Sequence, residues 1–290
     1  MSPKPIKTEI QDFAPKKQFL VLFDSDGCVI DSMIKKHTLC FAPLMISEWG
    51  LTEHEGEITE LWKRVNLYSP TRGLNRFRAL ATVLKEVNER YHPIVGIGNL
   101  LHWCESDELS EASLIRKLDA NRDVGIFKKA LDWSRRANAA AERMQGEFTP
   151  FSGARIALDL ASRFADIAVV SGADPNALYG EWTGFGLMEH VDLLLGQNAG
   201  KKEAIIAKLL EVGYDKSRVL MFGDSPFDLL AARTNRIHFF PILAGKEEES
   251  WRAAPNALER FKDGRFEEIQ DGLIKNFNKN LNGGTNNDRP

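Results

Sequence analysis

Two aspartates stand where structure alone gives them little to do. In FLVLFDSDGCVIDS, residues 19–32, five apolar residues run straight into Asp24, and Asp26 follows two positions on. A second apolar run, RVLMF, ends in GDSPFD and places Asp224 and Asp228 after its last hydrophobic residue. A third, DIAVV, ends in SGAD and offers Ser171 and Gly172. The lysine pair Lys201 and Lys202 opens an apolar-periodic stretch between the second and third runs in chain order. Taken singly, Asp, Ser and Gly at such places are turn formers and helix caps. A lone lysine there is a solvated helix residue, and Asp228 alone is an acid favoured in a first helical turn. Taken together, carboxylates from two distant strands share one crevice. They repel one another unless a cation joins them. A hard divalent ion suits oxygen ligands, and Mg²⁺ binds through one or two carboxylates, waters and a substrate phosphate. Ser171 and the amides of Gly172 and Ala173 suit phosphate oxygens at a helix start, and a lysine adds a point charge. Such a set supports phosphoryl transfer, which depends mainly on positioning and electrostatic stabilisation. One carboxylate can serve as nucleophile and another as general acid and base.

The elements that must position these groups can be read from pattern. Phe19–Phe23, Asp166–Val170 and Arg218–Phe222 are continuous apolar runs bounded by turn formers, as buried parallel strands are, and Ile237–Ile242 is a weaker one. Asp174-Pro175 is an N-cap with proline at the first helical position. Helices are expected over Lys201–Val212 and Phe227–Arg233. Repeated strand, turn and helix predict an α/β fold with a Rossmann-like parallel sheet. In such sheets ligands bind beyond the carboxyl ends of the strands. From about Met33 to Thr149 helix signals dominate. Thr52–Glu55 reads as a capping box for a helix ending near Asn66, and Gly73–Tyr91 and Val124–Met144 read as further helices. A helix over Ser152–Phe164 leads back to strand-type sequence. The expected organisation is therefore an α/β core of residues 1–32 and 150–275, interrupted by a helical domain of residues 33–149. A tail of residues 276–290, rich in Asn and Gly, is expected to fray.

Size and composition agree with an enzyme of this kind. The 290 residues are 43% hydrophobic and 27% charged, with a formal net charge of -3. That balance gives no reason to expect nucleic acid or a membrane surface as partner. Cys28, Cys40 and Cys104 have no metal or disulfide spacing, the N-terminal stretch lacks a secretion signal, and no run is long enough to span a bilayer. A cytoplasmic location is the expectation. His37, His54, His92, His102 and His190 show no ligand spacing, and Trp62, Trp103 and Trp133 read as core residues.

The four acid-, serine- and lysine-bearing stretches resemble, in order, the motifs of the haloacid dehalogenase-like (HAD) hydrolase superfamily, in its phosphatase and β-phosphoglucomutase branch. The resemblance implies that Asp24 is the nucleophile, Asp26 the general acid and base, and Ser171 a phosphate ligand, with Gly172 beside it. It implies a motif lysine within KKEAI, for which Lys201 is preferred because Lys-x-Glu-Ala is the usual phrasing. It implies Mg²⁺ held by the side chains of Asp24 and Asp224 and the carbonyl of Asp26, with Asp228 supporting. Members that attack carbon–halogen bonds lack the second acid, and phosphonate-cleaving members usually carry alanine there. Asp26 therefore implies phosphate ester or anhydride chemistry. Cys28 stands where Thr or Val is commoner and is expected to pack behind the loop. The helical insert matches the family's cap of the first type, which closes over substrate. Within it SPTRGLNRFRAL resembles a stretch whose arginine reaches a substrate phosphate or hydroxyl, which makes Arg76 the candidate, with Arg72 and Asn75 secondary. The expected function is a Mg²⁺-dependent phosphatase of a small phosphorylated metabolite. Its alternatives are a phosphomutase and a non-catalytic phosphometabolite binder.

Overall fold

The protein is described from a computed structural model that covers residues 7–106, 108–120 and 125–283. The chain divides into two compact units, one formed by residues up to Ser32 and from Phe148 onward, the other by Met33–Glu147.

The first unit begins with β1 (Phe19–Phe23), whose last four residues are buried. A strand apolar at every position needs cover on both faces, as in a central parallel strand. The chain then enters the helical unit. There α1 (Met33–Lys35) continues through a π-helical turn at Lys36–Phe41 into α2 (Ala42–Trp49), followed by α3 (Glu55–Asn66), α4 (Arg76–Arg90), α5 (Ile97–Cys104), α6 (Glu111–Ala120) and α7 (Gly125–Arg143). One core of Trp62, Trp133, Phe77, Leu84 and their neighbours joins these helices. Trp62, Trp103 and Trp133 are buried in it, as expected of core residues. The anticipated capping box at Thr52–Glu55 is not made. Thr52–His54 is a 3-10 turn, and α3 starts after His54 without a side-chain cap. Asn75 does cap α4, its side chain accepting from the Phe77 amide at 3.0 Å.

Back in the first unit come α8 (Ser152–Ser162), β2 (Ala165–Val170), α9 (Pro175–Gly184), β3 (Leu193–Leu195), α10 (Lys202–Glu211), β4 (Val219–Gly223), α11 (Pro226–Asn235), β5 (His238–Pro241), α12 (Glu247–Lys262) and α13 (Glu267–Asn282). The strands form one parallel sheet in the order β3-β2-β1-β4-β5. Two findings differ from the sequence reading. Residues 276–282 belong to α13, where Phe277 and Leu281 are buried against the sheet core, so the expected fraying tail is a packed helix over this part. Residues 284–290 lie outside the described residues. The edge strand β3 was not anticipated, because three leucines are too few to carry a pattern.

Strand order matters for function. From β1 the chain moves outward to β2 and β3, then crosses back to β4 on the other side of β1. The sheet's topological switch point thus lies between β1 and β4, where crevices form at the carboxyl ends. The register sets Phe23 opposite both Val169 and Phe222. The residues that follow these three reach the same edge of the sheet together.

Candidate active site

Asp24 continues β1 by one residue, its amide donating to the Phe222 carbonyl at 3.0 Å. Asp224 follows β4 directly. Asp228 comes from the first turn of α11, where it closes a capping box with Ser225. Asp228 accepts from the Ser225 amide at 3.0 Å and the Ser225 hydroxyl at 2.8 Å, while its own amide donates back to that hydroxyl at 3.2 Å. Gly223 makes this fold-back possible. A Cβ there would come within 2.5 Å of the Cβ of Asp228.

Asp24, Asp224 and Asp228 are all buried, and each presents a carboxylate oxygen within 4.8 Å of the others. At such distances two like charges repel by about 3 kcal/mol at an effective dielectric of about 20. One ammonium answers them. Lys202 Nζ lies 2.8 Å from Asp24 and 2.6 Å from Asp228. Burial pushes the Asp24 carboxyl well above the ordinary carboxylate value, and the charges of Asp228 and Asp224 add to this against the pull of Lys202. Burial also opposes the charge on Lys202, but Asp228 and Asp24 outweigh it and hold the ammonium above the usual lysine range. Three carboxylates thus crowd together in a buried place, with Lys202 bridging two of them. A metal ion fits such a cluster and its all-oxygen donor set.

The lysine at the site is therefore Lys202, and the preference for Lys201 is corrected. Lys201 is the exposed N-cap of α10 with extended backbone, whereas Lys202 is the first helical residue. A side chain at the first helical position leans back past the helix N-terminus, and here it reaches the carboxylates. Both oxygens of Asp228 are engaged, one by Lys202 and one by Ser225. This suits an orienting group better than a primary metal ligand.

Asp26 is half-buried and stands outside that cluster of side chains; it accepts a short hydrogen bond from the Ser32 hydroxyl. Gly27, at φ 76°, turns the chain just after it. The Ser25 carbonyl accepts the amides of Cys28, Val29 and Ile30 at 3.3, 2.9 and 2.9 Å, which closes the loop tightly. Cys28 is buried within this loop. Burial and the neighbouring carboxylates push its thiol well above the ordinary value, which disfavours the thiolate.

Ser171 follows β2, buried, with its amide donating to Leu195 at 2.9 Å. Its hydroxyl accepts from the Ala173 amide at 3.2 Å, and Gly172 between them is exposed. Asp174 caps α9 by accepting from the amides of Asn176 and Ala177. The Asn176 and Ala177 amides at the start of α9 are thus already engaged.

Arg76 belongs to the helical unit. Its guanidinium donates to Asn138 and Ser134 and lies 5.4 Å from the centre of the Phe41 ring. Arg72 is almost wholly buried and donates to the Leu67 carbonyl at 2.9 Å. Two residues near the site were missed by sequence reasoning. Trp182 Nε1 donates to the Ser25 hydroxyl at 2.9 Å, and Trp251 Nε1 donates to the Cys28 carbonyl at 3.0 Å. Nothing in the local sequence of either tryptophan announces this.

The family model for haloacid dehalogenase-like hydrolase matches residues 20–235. The chain belongs to this family. As a HAD-like hydrolase it carries the helical insertion between β1 and β2 that marks the family's first cap type. Among solved structures, a HAD-like family protein, SP0104 from Streptococcus pneumoniae, is similar over 81% of this chain and 90% of its own, at 14% identity and a TM-score of 0.51. A structure from Clostridium difficile named "Putative Phosphatase" is similar over 79% and 86%, at 16% identity and a TM-score of 0.50. At these identities the likeness concerns the fold. No curated protein sequence matches the chain. Among the described residues no helix is long and apolar enough to cross a membrane.

Proposed function

We propose that this HAD-like hydrolase is a Mg²⁺-dependent phosphatase that releases phosphate from a small phosphorylated metabolite. The observation that carries the reading is the buried trio of Asp24, Asp224 and Asp228, two of them bridged by the Lys202 ammonium, with a second acid two residues beyond Asp24. Asp24, Asp224 and the carbonyl of Asp26 would hold the ion. When bound, Mg²⁺ neutralises the carboxylates and the substrate phosphate, so that one anion can approach another.

The chain's own groups perform the remaining chemistry. Ser171 and Gly172 orient the phosphate. A carboxylate oxygen of Asp24 attacks phosphorus while the ester P–O bond breaks, and Asp26 gives its proton to the leaving alcohol oxygen. The product is an aspartyl-phosphate. Asp26, now a carboxylate, takes a proton from water as that water attacks phosphorus. The Asp24–phosphorus bond breaks, and free phosphate leaves. Lys202 stays charged throughout and steadies the carboxylate of Asp24 and the transferring oxygens. An acid at position 26 favours an oxygen leaving group, which needs a proton, over halide, which does not.

The test is phosphate release from a panel of phosphorylated metabolites, with Mg²⁺ and with chelator. We expect turnover only with the metal, and none from Asp24→Asn. Silence across the whole panel would favour the non-catalytic binder. Transfer to a second hydroxyl with a bisphosphate requirement would favour the phosphomutase.

A further inference from the structure

The loop that carries both catalytic aspartates is tied to α9 by a buried hydrogen bond. An indole N–H is a donor only, and a buried donor needs a partner. Trp182 is completely buried, and its partner is the hydroxyl of Ser25, itself 1% exposed. Ser25 sits between Asp24 and Asp26. Its carbonyl is taken by three amides of the same loop, so its side chain is what joins this residue to α9, while Cys28, Val29 and Asp31 make the loop's ties to Trp251, Phe151 and Thr149. Trp182 lies on α9, the helix that begins just after Ser171, Gly172 and Asp174. One hydrogen bond therefore spans from the nucleophile loop to the helix that leaves the phosphate cradle. The two parts come from strands β1 and β2, 146 positions apart by the alignment of Phe19 with Ala165. The sheet ladder ends near Asp24 and Ser171, and backbone bonds from Asp31 to Thr149 and from Phe151 to Val29 hold the far side of the loop.

We infer that Trp182 is a positioning residue for phosphoryl transfer: through Ser25 it holds the Asp24–Asp26 loop in register with the Ser171 cradle. The inference rests on the phosphatase reading above. Asp24 must meet phosphorus in line while Asp26 meets the leaving oxygen, and small displacements of such groups cost rate more than binding.

Trp182→Phe removes the N–H and keeps an aromatic ring in the cavity. With Mg²⁺ and the best substrate of the panel, we expect kcat to fall about tenfold with KM within about twofold, because substrate is still bound but poorly aligned. Ser25→Ala removes the other partner and should give the same loss. The double variant should be no worse than either single one, as two partners of one interaction require. A binding-independent arm uses protein without substrate: the Trp182 indole N–H should exchange slowly with heavy water, and Ser25→Ala should speed it while leaving that of Trp251 unchanged. Should Trp182→Phe fold poorly, Ser25→Ala carries both arms. The proposal is overturned if either variant keeps wild-type kcat while Asp24→Asn is dead, if the two losses multiply, or if indole exchange ignores Ser25. Turnover retained in Asp24→Asn is the separate result that would remove the phosphatase mechanism itself.

Discussion

Buried acids occur at both ends of this sheet, and they are handled in opposite ways. At the amino end, Asp166 and Asp192 are 0% and 3% exposed. Asp166 Oδ2 accepts from the amides of Lys16 and Lys17 at 2.8 and 2.9 Å and from the Tyr214 hydroxyl at 2.7 Å. Its other oxygen is buried without a hydrogen bond, so the bonds to this side chain run through Oδ2. Asp192 accepts from the Ile167 amide at 3.0 Å and from Lys16 Nζ at 3.2 Å. These acids stitch the N-terminal segment and Tyr214 to β2. Burial and the nearby Asp166 push the Tyr214 phenol upward, which keeps it a donor. At the carboxyl end, three acids are pressed together and two of them share Lys202. Burial alone thus does not mark a site. Like charges crowded onto a shared partner do, because a proton or a ligand must offset them.

The largest effect should come from Asp24→Asn. Activity should drop at least about a thousandfold, as loss of a nucleophile does. Thermal unfolding should show no loss of stability, since the substitution removes one of three mutually repelling charges. A variant that fails to fold would contradict the claim that this charge is strained.

Lys202→Met is next. It leaves the buried carboxylates without their ammonium, and breaking such a pair costs about 3–5 kcal/mol. Lys201→Met, one residue away and exposed, leaves the Lys202 contacts in place and should cost less than Lys202→Met in both stability and rate. Equal effects from the two would undo the assignment of the site lysine.

Asp166→Asn sharpens the contrast from the other side. It weakens three hydrogen bonds to a charged acceptor, and chemical denaturation should show a loss of about 1–3 kcal/mol. In the folded protein kcat should be unchanged. A fall in kcat would mean that the two ends of the sheet are coupled.

The smallest effect is a pH dependence. The folded state raises the Asp24 carboxyl above its ordinary value of 3.8, chiefly by burial and then by Asp228 and Asp224. The folded protein therefore holds that proton more tightly than the unfolded chain. Its contribution is fullest below 3.8 and is lost as pH rises toward the folded value. In metal-free protein, the stability of wild type minus that of Asp24→Asn should decline over that rise. Added Mg²⁺ should flatten the decline by giving the carboxylate a partner. A difference that grows with pH would mean the sign is wrong.

Much of this contrast was legible in the sequence, and the reasons differ residue by residue. Asp24, Ser171 and Asp224 follow apolar runs, and a buried parallel strand announces its own carboxyl end. Asp166 gave no such signal. It stands at the start of a run, where an acid looks like an ordinary strand boundary, and its donors come from Lys16, Lys17 and Tyr214, far away in the chain. The choice between Lys201 and Lys202 turned on where α10 begins, and a one-residue shift in a helix start redirects the side chain by about 100°. The helix through residues 276–282 was hidden by its Asn content, because Phe277 and Leu281 are stabilised by packing on the sheet core rather than by local propensity. Trp182 and Trp251 were illegible for the same reason. Their partners are 157 and 223 residues away, and no local pattern encodes such a distance.

The central claim is that Asp24 accepts the phosphoryl group. Its most direct test is to quench a turning-over reaction, reduce any acyl phosphate with borohydride, and locate the modified residue by mass spectrometry. The account predicts conversion of Asp24 to homoserine in the peptide spanning β1 and its loop, dependent on Mg²⁺ and on substrate. Steady phosphate release with Asp24 unmodified, or with the phosphoryl group on another residue, would contradict it.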